Sequence, residues 1–325
     1  MTPINSVPPV PSRDGVSPSK VWCPPGPWQR LDEFLLQRFP HVNPEVLLDR
    51  LRRGDILDQN AVPQTLDSPY RAERWLWYFR MVDKETIVPF EMPILYADEC
   101  LIAVDKPHFL ATTPGGRYLH ETALSRLRKH FKEDGISPIH RLDRETAGIL
   151  LFCRDPSARG AYQSLFQQGG IEKEYEAVAP FQEKLASGLV YRSRLKEVPG
   201  RFVMEEVAGE PNSSTEIVCE RHWQTGQGDH RALYRLRPHS GRKHQLRVHL
   251  SSLGAPILND VFYPELLPER AADDFSQPLQ LLARHIAFID PLSGQLRRFS
   301  SQRQLWSWPS WPQRSRRDSN CGHLE

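Results

Sequence analysis

Between Ile94 and Phe299 the apolar residues fall in short runs stopped by turn-forming residues, and this rhythm limits the folds open to the chain. Leu101-Ile102-Ala103-Val104 halts at Asp105-Lys106-Pro107, where the proline cannot continue a central ladder. Gly148–Phe152, Lys173–Val178, Ala232–Leu236 and Leu281–Ile289 read as further strands. Helical spacing interrupts them at Glu121–Phe131, with Leu124, Leu127 and Phe131 on one side. It returns at Gly241–Leu253, with Leu246, Leu250 and Leu253 on a buried face and Gly254 placed to end the helix. Helices and strands do not alternate regularly, so the expected class is mixed α+β and not a doubly wound sheet.

Composition changes mark the boundaries. Residues 1–27 are rich in Pro, Ser and Val without helical periodicity and are expected to form an arm. Residues 28–70 hold a small unit: Leu31, Phe34, Leu35 and Phe39 share a helical face up to Pro40. Val46, Leu47, Leu48 and Leu51 lie on a second helix stopping at Gly54, and a strand-like Asp55-Ile56-Leu57 follows. Residues 71–93 read as a linker, with Trp75–Phe79 a strand leading away from the small unit. The main domain takes 94–302, and 303–325 is a tail in which Trp306, Trp308 and Trp311 precede Arg314, Arg316 and Arg317.

No apolar run reaches membrane-spanning length, and Met1–Lys20 lacks a basic start followed by an apolar stretch, so a cytoplasmic location is expected. The five cysteines, Cys23, Cys100, Cys153, Cys219 and Cys321, are scattered, which argues against a disulfide framework and a zinc knuckle. The net charge is only +2, but its distribution is uneven. His230–Leu250 carries Arg231, Arg235, Arg237, Arg242, Lys243 and Arg247 with no acidic residue. Arg126, Arg128, Lys129 and Lys132 precede Arg141 and Arg144. These cations read equally as one phosphate-binding groove or as separate solvated faces.

In His140-Arg141-Leu142-Asp143-Arg144-Glu145-Thr146 a polar turn runs into the apolar strand Ala147–Phe152. Leu142 is expected to anchor the loop inward, leaving Asp143 at the strand's mouth, a rigid support for a working side chain. Taken alone, Asp143 reads as well as a turn aspartate bonding its own backbone. Strand alternation puts Lys173 and Tyr175 on one face and Glu174 and Glu176 on the other. Arg247 is offset from the apolar stripe of its helix, with its head at a cleft edge.

These segments resemble the motifs of the RluA family of pseudouridine synthases. The resemblance covers His140–Phe152, Asp98–Pro107, Lys173–Val178, and Gly241–Leu250 continued by Gly254, Pro256-Ile257, Asp260 and Tyr263, in the family's order. It implies a mainly antiparallel catalytic domain with flanking helices and a central RNA-binding cleft. It implies isomerisation of uridine in RNA without a metal or an organic cofactor, and a structured RNA partner containing the target uridine. Asp143 then corresponds to the essential carboxylate, acting as a nucleophile or through an eliminated-sugar route, and Arg247 to its ionic partner. Tyr175 stacks on the uracil and assists proton removal at the new attachment point. Arg141 fills the space of the flipped base. His140 orients the loop or, equally, makes a structural hydrogen bond, Lys173 pairs with an acid or a phosphate, and Arg242, Lys243 and His244 contact the RNA backbone or support their loop.

The chain departs from the motif at Ala147, where the family usually has Ser, and at Leu258-Asn259 before Asp260, where a glycine usually stands. The Arg30–Asp58 unit resembles the small S4 RNA-binding module through Arg30-Leu31-Asp32, Leu47-Leu48 and Arg53-Gly54-Asp55-Ile56, without its usual Asn-Gly turn; the alternative is a helical extension. The expected substrate is large-subunit ribosomal RNA. Transfer RNA is the alternative, and a noncatalytic RNA-binding protein on the same fold is a third reading. The expected state is a monomer.

Overall fold

The computed structural model describes residues 8–82 and 84–305. The chain divides into two compact units. One holds the described residues up to Arg144 with Leu150–Gln168 and Pro291–Ser293, the other Glu145–Ile149, Gly169–Asp290 and the described residues from Gly294.

In the first unit the N-terminal region comprises β1 (Ser19–Cys23), α1 (Leu31–Arg38), α2 (Pro44–Arg53), β2 (Ile56–Asp58), β3 (Pro63–Gln64) and β4 (Arg74–Tyr78). Local chemistry explains α2. Asn43 accepts the Glu45 N–H at 3.0 Å, Pro44 opens the first turn, and Gly54 at φ 68° ends it. The strands form one four-stranded sheet in the order β1-β4-β2-β3. Val21, Cys23, Leu31, Phe34, Leu35, Leu51, Ile56 and Leu76 form its core. Two expected boundaries are thereby corrected. The supposed arm contributes β1, whose Val21 pairs with Leu76, and the supposed linker contributes the central strand β4. The β2–β3 turn is built without an Asn-Gly pair: Asp58 accepts the N–H groups of Asn60 (2.9 Å) and Val62 (3.0 Å), while Ala61 takes φ 63°.

The rest of this unit contains β5 (Ile94–Ala97), β6 (Leu101–Lys106), α3 (Ala123–Phe131), β7 (Ser137–Pro138), β8 (Ala147–Cys153) and α4 (Arg159–Gln168). Thr122 caps α3 by accepting the Ser125 N–H at 3.1 Å. The last residues of β8 pair with β7, and its first residues belong to the second unit.

The second unit comprises β9 (Ile171–Pro180), β10 (Leu189–Glu197), β11 (Met204–Val207), β12 (Ser213–Gln224), β13 (His230–Pro238), α5 (Gln245–Ser252), β14 (Leu281–Ile289) and β15 (Leu296–Ser300). The strands β11-β10-β12-β13-β9-β14 run in that order with β15 on β14, each pair antiparallel. The pairing of β8 with β14 is parallel, through Leu282 with Ala147 and Ala283 with Gly148. Gly148 is required there: at φ 112°, an added Cβ would lie 2.2 Å from the Ala283 carbonyl oxygen. The architecture is the expected mixed, mainly antiparallel α+β class. Helix α5 starts later than its apolar spacing predicts, because His244 at φ 54° breaks the helical path and Arg242–His244 form a turn ahead of it.

Candidate active site

In the first unit two buried side chains shape the Asp143 loop from within. Leu142 is buried, as expected. Its backbone is held by Thr112, whose Oγ1 donates to the Leu142 carbonyl (2.7 Å) and accepts the Leu142 N–H (3.2 Å). On the far side of Asp143, the fully buried Lys106 donates from Nζ to the carbonyls of Leu110 (2.8 Å), Pro107 (3.0 Å) and Arg144 (3.3 Å). A buried ammonium given carbonyl acceptors ties β6 to the residue after Asp143. Neither tie was foreseen; the signal was a lysine and a threonine flanking the β6 exit turn. Asp143 itself is half-buried and Arg141 exposed. Arg144 donates to the Tyr118 hydroxyl at 2.8 Å.

His140 serves the loop. Its Nε2 accepts the Leu151 N–H at 3.1 Å, and its ring stacks on Phe166 with centroids 4.6 Å apart. Nε2 acting as acceptor makes the ring a structural hydrogen-bond partner of β8 in this arrangement.

In the second unit Tyr175 is half-buried on β9, paired with Leu236 of β13 and Ala283 of β14, and packs against the central apolar cluster. The opposite face carries the acids, as alternation predicts: Glu174 meets Arg237 at 3.0 Å and Glu176 meets Arg284 at 2.5 Å. Burial pushes the Lys173 ammonium below its ordinary range.

Arg247 corrects one expectation. It is 1% exposed, not at a cleft edge. Its Nε and Nη2 donate to the two carboxylate oxygens of Asp260 at 2.8 and 2.5 Å, and Phe262 and Tyr263 lie against the guanidinium with centroids at 4.8 and 5.6 Å. Asp260 also accepts the Phe262 N–H at 2.8 Å. Asn259 adopts φ 64° and donates to the Pro278 carbonyl at 2.9 Å. The left-handed turn that a glycine would favour is therefore kept. Asp260, to which no role was assigned, is the buried carboxylate that fixes Arg247.

His244 is also corrected as an RNA contact. It is buried, its Nδ1 is 2.9 Å from the Tyr263 hydroxyl, and its pKa is pushed down to about 3, first by burial and then by the charges of Arg247 and Lys243. A neutral core ring supports the turn. Arg242 is exposed and donates to the Asn212 carbonyl at 3.3 Å, and Lys243 is half-buried.

Much of the basic sequence is neutralised. Arg235 pairs with Glu220, and Arg237 with Glu174 and Glu216. Arg126 meets Glu121 at 2.5 Å and the carbonyls of Phe90 and Val88 at 2.7 Å, while Arg128 holds Ser17 at 2.7 Å. These cations are structural, and net counting overstates the charge available to RNA. No His, Cys, Asp and Glu grouping suited to a metal ion occurs among the described residues, nor is any helix there long and apolar enough to cross a membrane. The expected tryptophan and arginine tail from Trp306 lies outside the described residues.

The chain is similar to known proteins. A family model described as RNA pseudouridylate synthase matches residues 100–252. The dual-specificity RNA pseudouridine synthase RluA of Vibrio vulnificus is 33% identical over 208 residues, covering 63% of this chain and 80% of that protein. The tRNA pseudouridine synthase C of Pasteurella multocida is 30% identical over 218 residues, covering 63% and 88%. The solved structure of human RNA pseudouridylate synthase domain containing 1 shares the fold, with a TM-score of 0.53 at 23% identity over 67% of this chain and 86% of that one. The chain belongs to the RluA family and is an RNA pseudouridine synthase, an isomerase that converts uridine in RNA to pseudouridine.

Proposed function

We propose that this synthase acts on uridines of large-subunit ribosomal RNA, with Asp143 as its catalytic carboxylate. The observation that carries the substrate reading is the folded N-terminal region, in which α1, α2 and the sheet β1-β4-β2-β3 precede the segment matched by the family model, which begins at residue 100. An added folded surface enlarges the footprint on RNA, which suits a large structured substrate. Its two short helices before a hairpin support reading it as a degenerate S4-like module. A transfer RNA substrate is the second reading, favoured by the likeness to tRNA pseudouridine synthase C. The enzyme is taken to be a cytoplasmic monomer.

In the proposed reaction the glycosidic bond breaks, the uracil turns, a carbon–carbon bond to the ribose forms, and the proton at that carbon leaves. Asp143 acts on the ribose, either by forming a bond to it or as the base and electrostatic partner of an eliminated sugar. Arg247 supplies the positive charge that keeps the carboxylate ionised when RNA excludes water. Tyr175 faces the displaced uracil, Arg141 occupies the space it vacates, and Lys173 balances a neighbouring negative charge. Pseudouridine mapping in RNA from cells with and without this protein tests the substrate. A site lost from large-subunit ribosomal RNA is expected; loss confined to transfer RNA would replace the first reading by the second.

A further inference from the structure

The hairpin joining β10 and β11 presents an aromatic ring to solvent from a firmly anchored base. Its turn is closed by Val198 N–H to Val203 O at 3.4 Å and Arg201 N–H to Val198 O at 3.0 Å, with Gly200 at φ 72°. Beyond the turn Met204 is buried with Leu195, Val248 and Tyr263, and its N–H donates to the Tyr263 hydroxyl at 2.8 Å. Phe202, two residues earlier, is 56% exposed. Its position is nevertheless defined by ring contacts to His244 (5.4 Å, 67°) and Phe262 (5.6 Å, 57°), and by Lys243 Nζ 3.9 Å from its centroid.

Part of the basic charge on the sheet is neutralised. Arg231, Arg235, Arg237 and Arg284 pair with carboxylates. Arg201, Arg242 and Lys243 form no ion pair with a carboxylate among the described residues, and Arg201 and Arg242 are exposed. An exposed ring backed by the Lys243 ammonium, with the exposed Arg201 and Arg242 next to these two residues in the chain, matches the chemistry of a single strand, in which flat bases alternate with phosphates.

We propose that Phe202, backed by Lys243, is a stacking platform for an unpaired base of the substrate RNA, with Arg201 and Arg242 facing the flanking phosphates. The proposal rests on the RNA-modifying activity but involves none of the residues assigned to the chemistry.

The test is a fluorescence-anisotropy titration of the full chain with a short oligouridylate and with an abasic strand of equal length. Phe202→Ala is expected to weaken binding of the oligouridylate by about tenfold, the loss of one stacked base, and to leave abasic binding unchanged. Phe202→Trp is expected to retain wild-type affinity for the oligouridylate, and Lys243→Gln to weaken both strands. The platform is overturned if Phe202→Ala binds the oligouridylate as the wild type does, or loses both strands equally. Pseudouridine formation by the wild-type chain on total RNA, followed in parallel, reports separately on the enzyme activity.

Discussion

The Thr112 hydroxyl holds Leu142 by both halves of its backbone, donating to the carbonyl at 2.7 Å and accepting from the N–H at 3.2 Å, one residue before Asp143. One side chain thus satisfies a buried donor and acceptor while setting the direction in which the chain leaves toward Asp143. Thr112→Val keeps the volume and orphans both groups, at a cost of about 1–3 kcal/mol. It should lower kcat on the order of tenfold or more, through misplacement of the carboxylate, with RNA affinity retained. Thr112→Ser should recover most of the loss. Single-turnover kinetics check this; a Val variant as fast as wild type would leave Thr112 as packing alone.

Asp143→Asn keeps the shape of the loop and removes the charge. Uridine isomerisation should disappear while RNA binding persists, because an amide can neither attack the ribose nor accept its proton. Product analysis of RNA by mass-sensitive labelling of pseudouridine decides it, and undiminished turnover in the variant would require another carboxylate.

Arg247 and Asp260 form an ion pair with side chains only 1% and 0% exposed. Removing one partner strands a charge in the core. Asp260→Asn should cost about 3–5 kcal/mol in stability. Urea unfolding measures this, and an unchanged midpoint would mean that water reaches the pair.

Gly148 cannot be replaced without moving β14. In Gly148→Ala the new methyl would lie 2.2 Å from the Ala283 carbonyl oxygen on a backbone with φ 112°. A loss above about 4 kcal/mol is expected, seen as insoluble or unfolded protein. A soluble variant with wild-type thermal stability would show that the β8 and β14 strands separate easily.

What the sequence made legible was what neighbouring residues determine. Asn43, Pro44 and Gly54 mark α2 at both ends because capping acts within a turn or two. Leu142 was placed inside because it interrupts a polar turn. The misread parts depend on partners distant in the chain. β1 has no alternating pattern of its own, and its strand identity comes from pairing with β4 some fifty residues on. The Arg235–Arg237 run stays undecided in sequence between an RNA groove and a solvated face, because Glu174 and Glu220, which neutralise it, sit on adjacent strands. The offset of Arg247 from the apolar stripe of its helix points to a cleft edge. The turn carrying Asp260, Phe262 and Tyr263 covers it, and helix periodicity holds no trace of that turn.

Two buried histidines make the second unit sensitive to mild acid. His244 is pushed down to about 3 by burial and by the charges of Arg247 and Lys243, and His249 to about 4 by burial. The His249 ring is held neutral among hydroxyls: Nε2 is 2.9 Å from Ser213 Oγ and 3.1 Å from Ser193 Oγ, and Nδ1 is 2.9 Å from Thr215 Oγ1. In the unfolded chain both rings gain a proton as pH falls through about 6.5. In the folded chain they stay neutral down to the depressed values, so the unfolded state binds more protons across that interval. The stability they contribute is therefore complete above pH ~6.5, declines as pH falls toward 4 to 3, and changes no further below. At pH 5 each histidine should withdraw about 2 kcal/mol. Urea midpoints at pH 7 and pH 5 measure the sum. Proton NMR of the histidine rings should find both failing to titrate above pH 5. A ring protonating near pH 6.5 in the folded protein would show that water reaches its site and would remove it from the account.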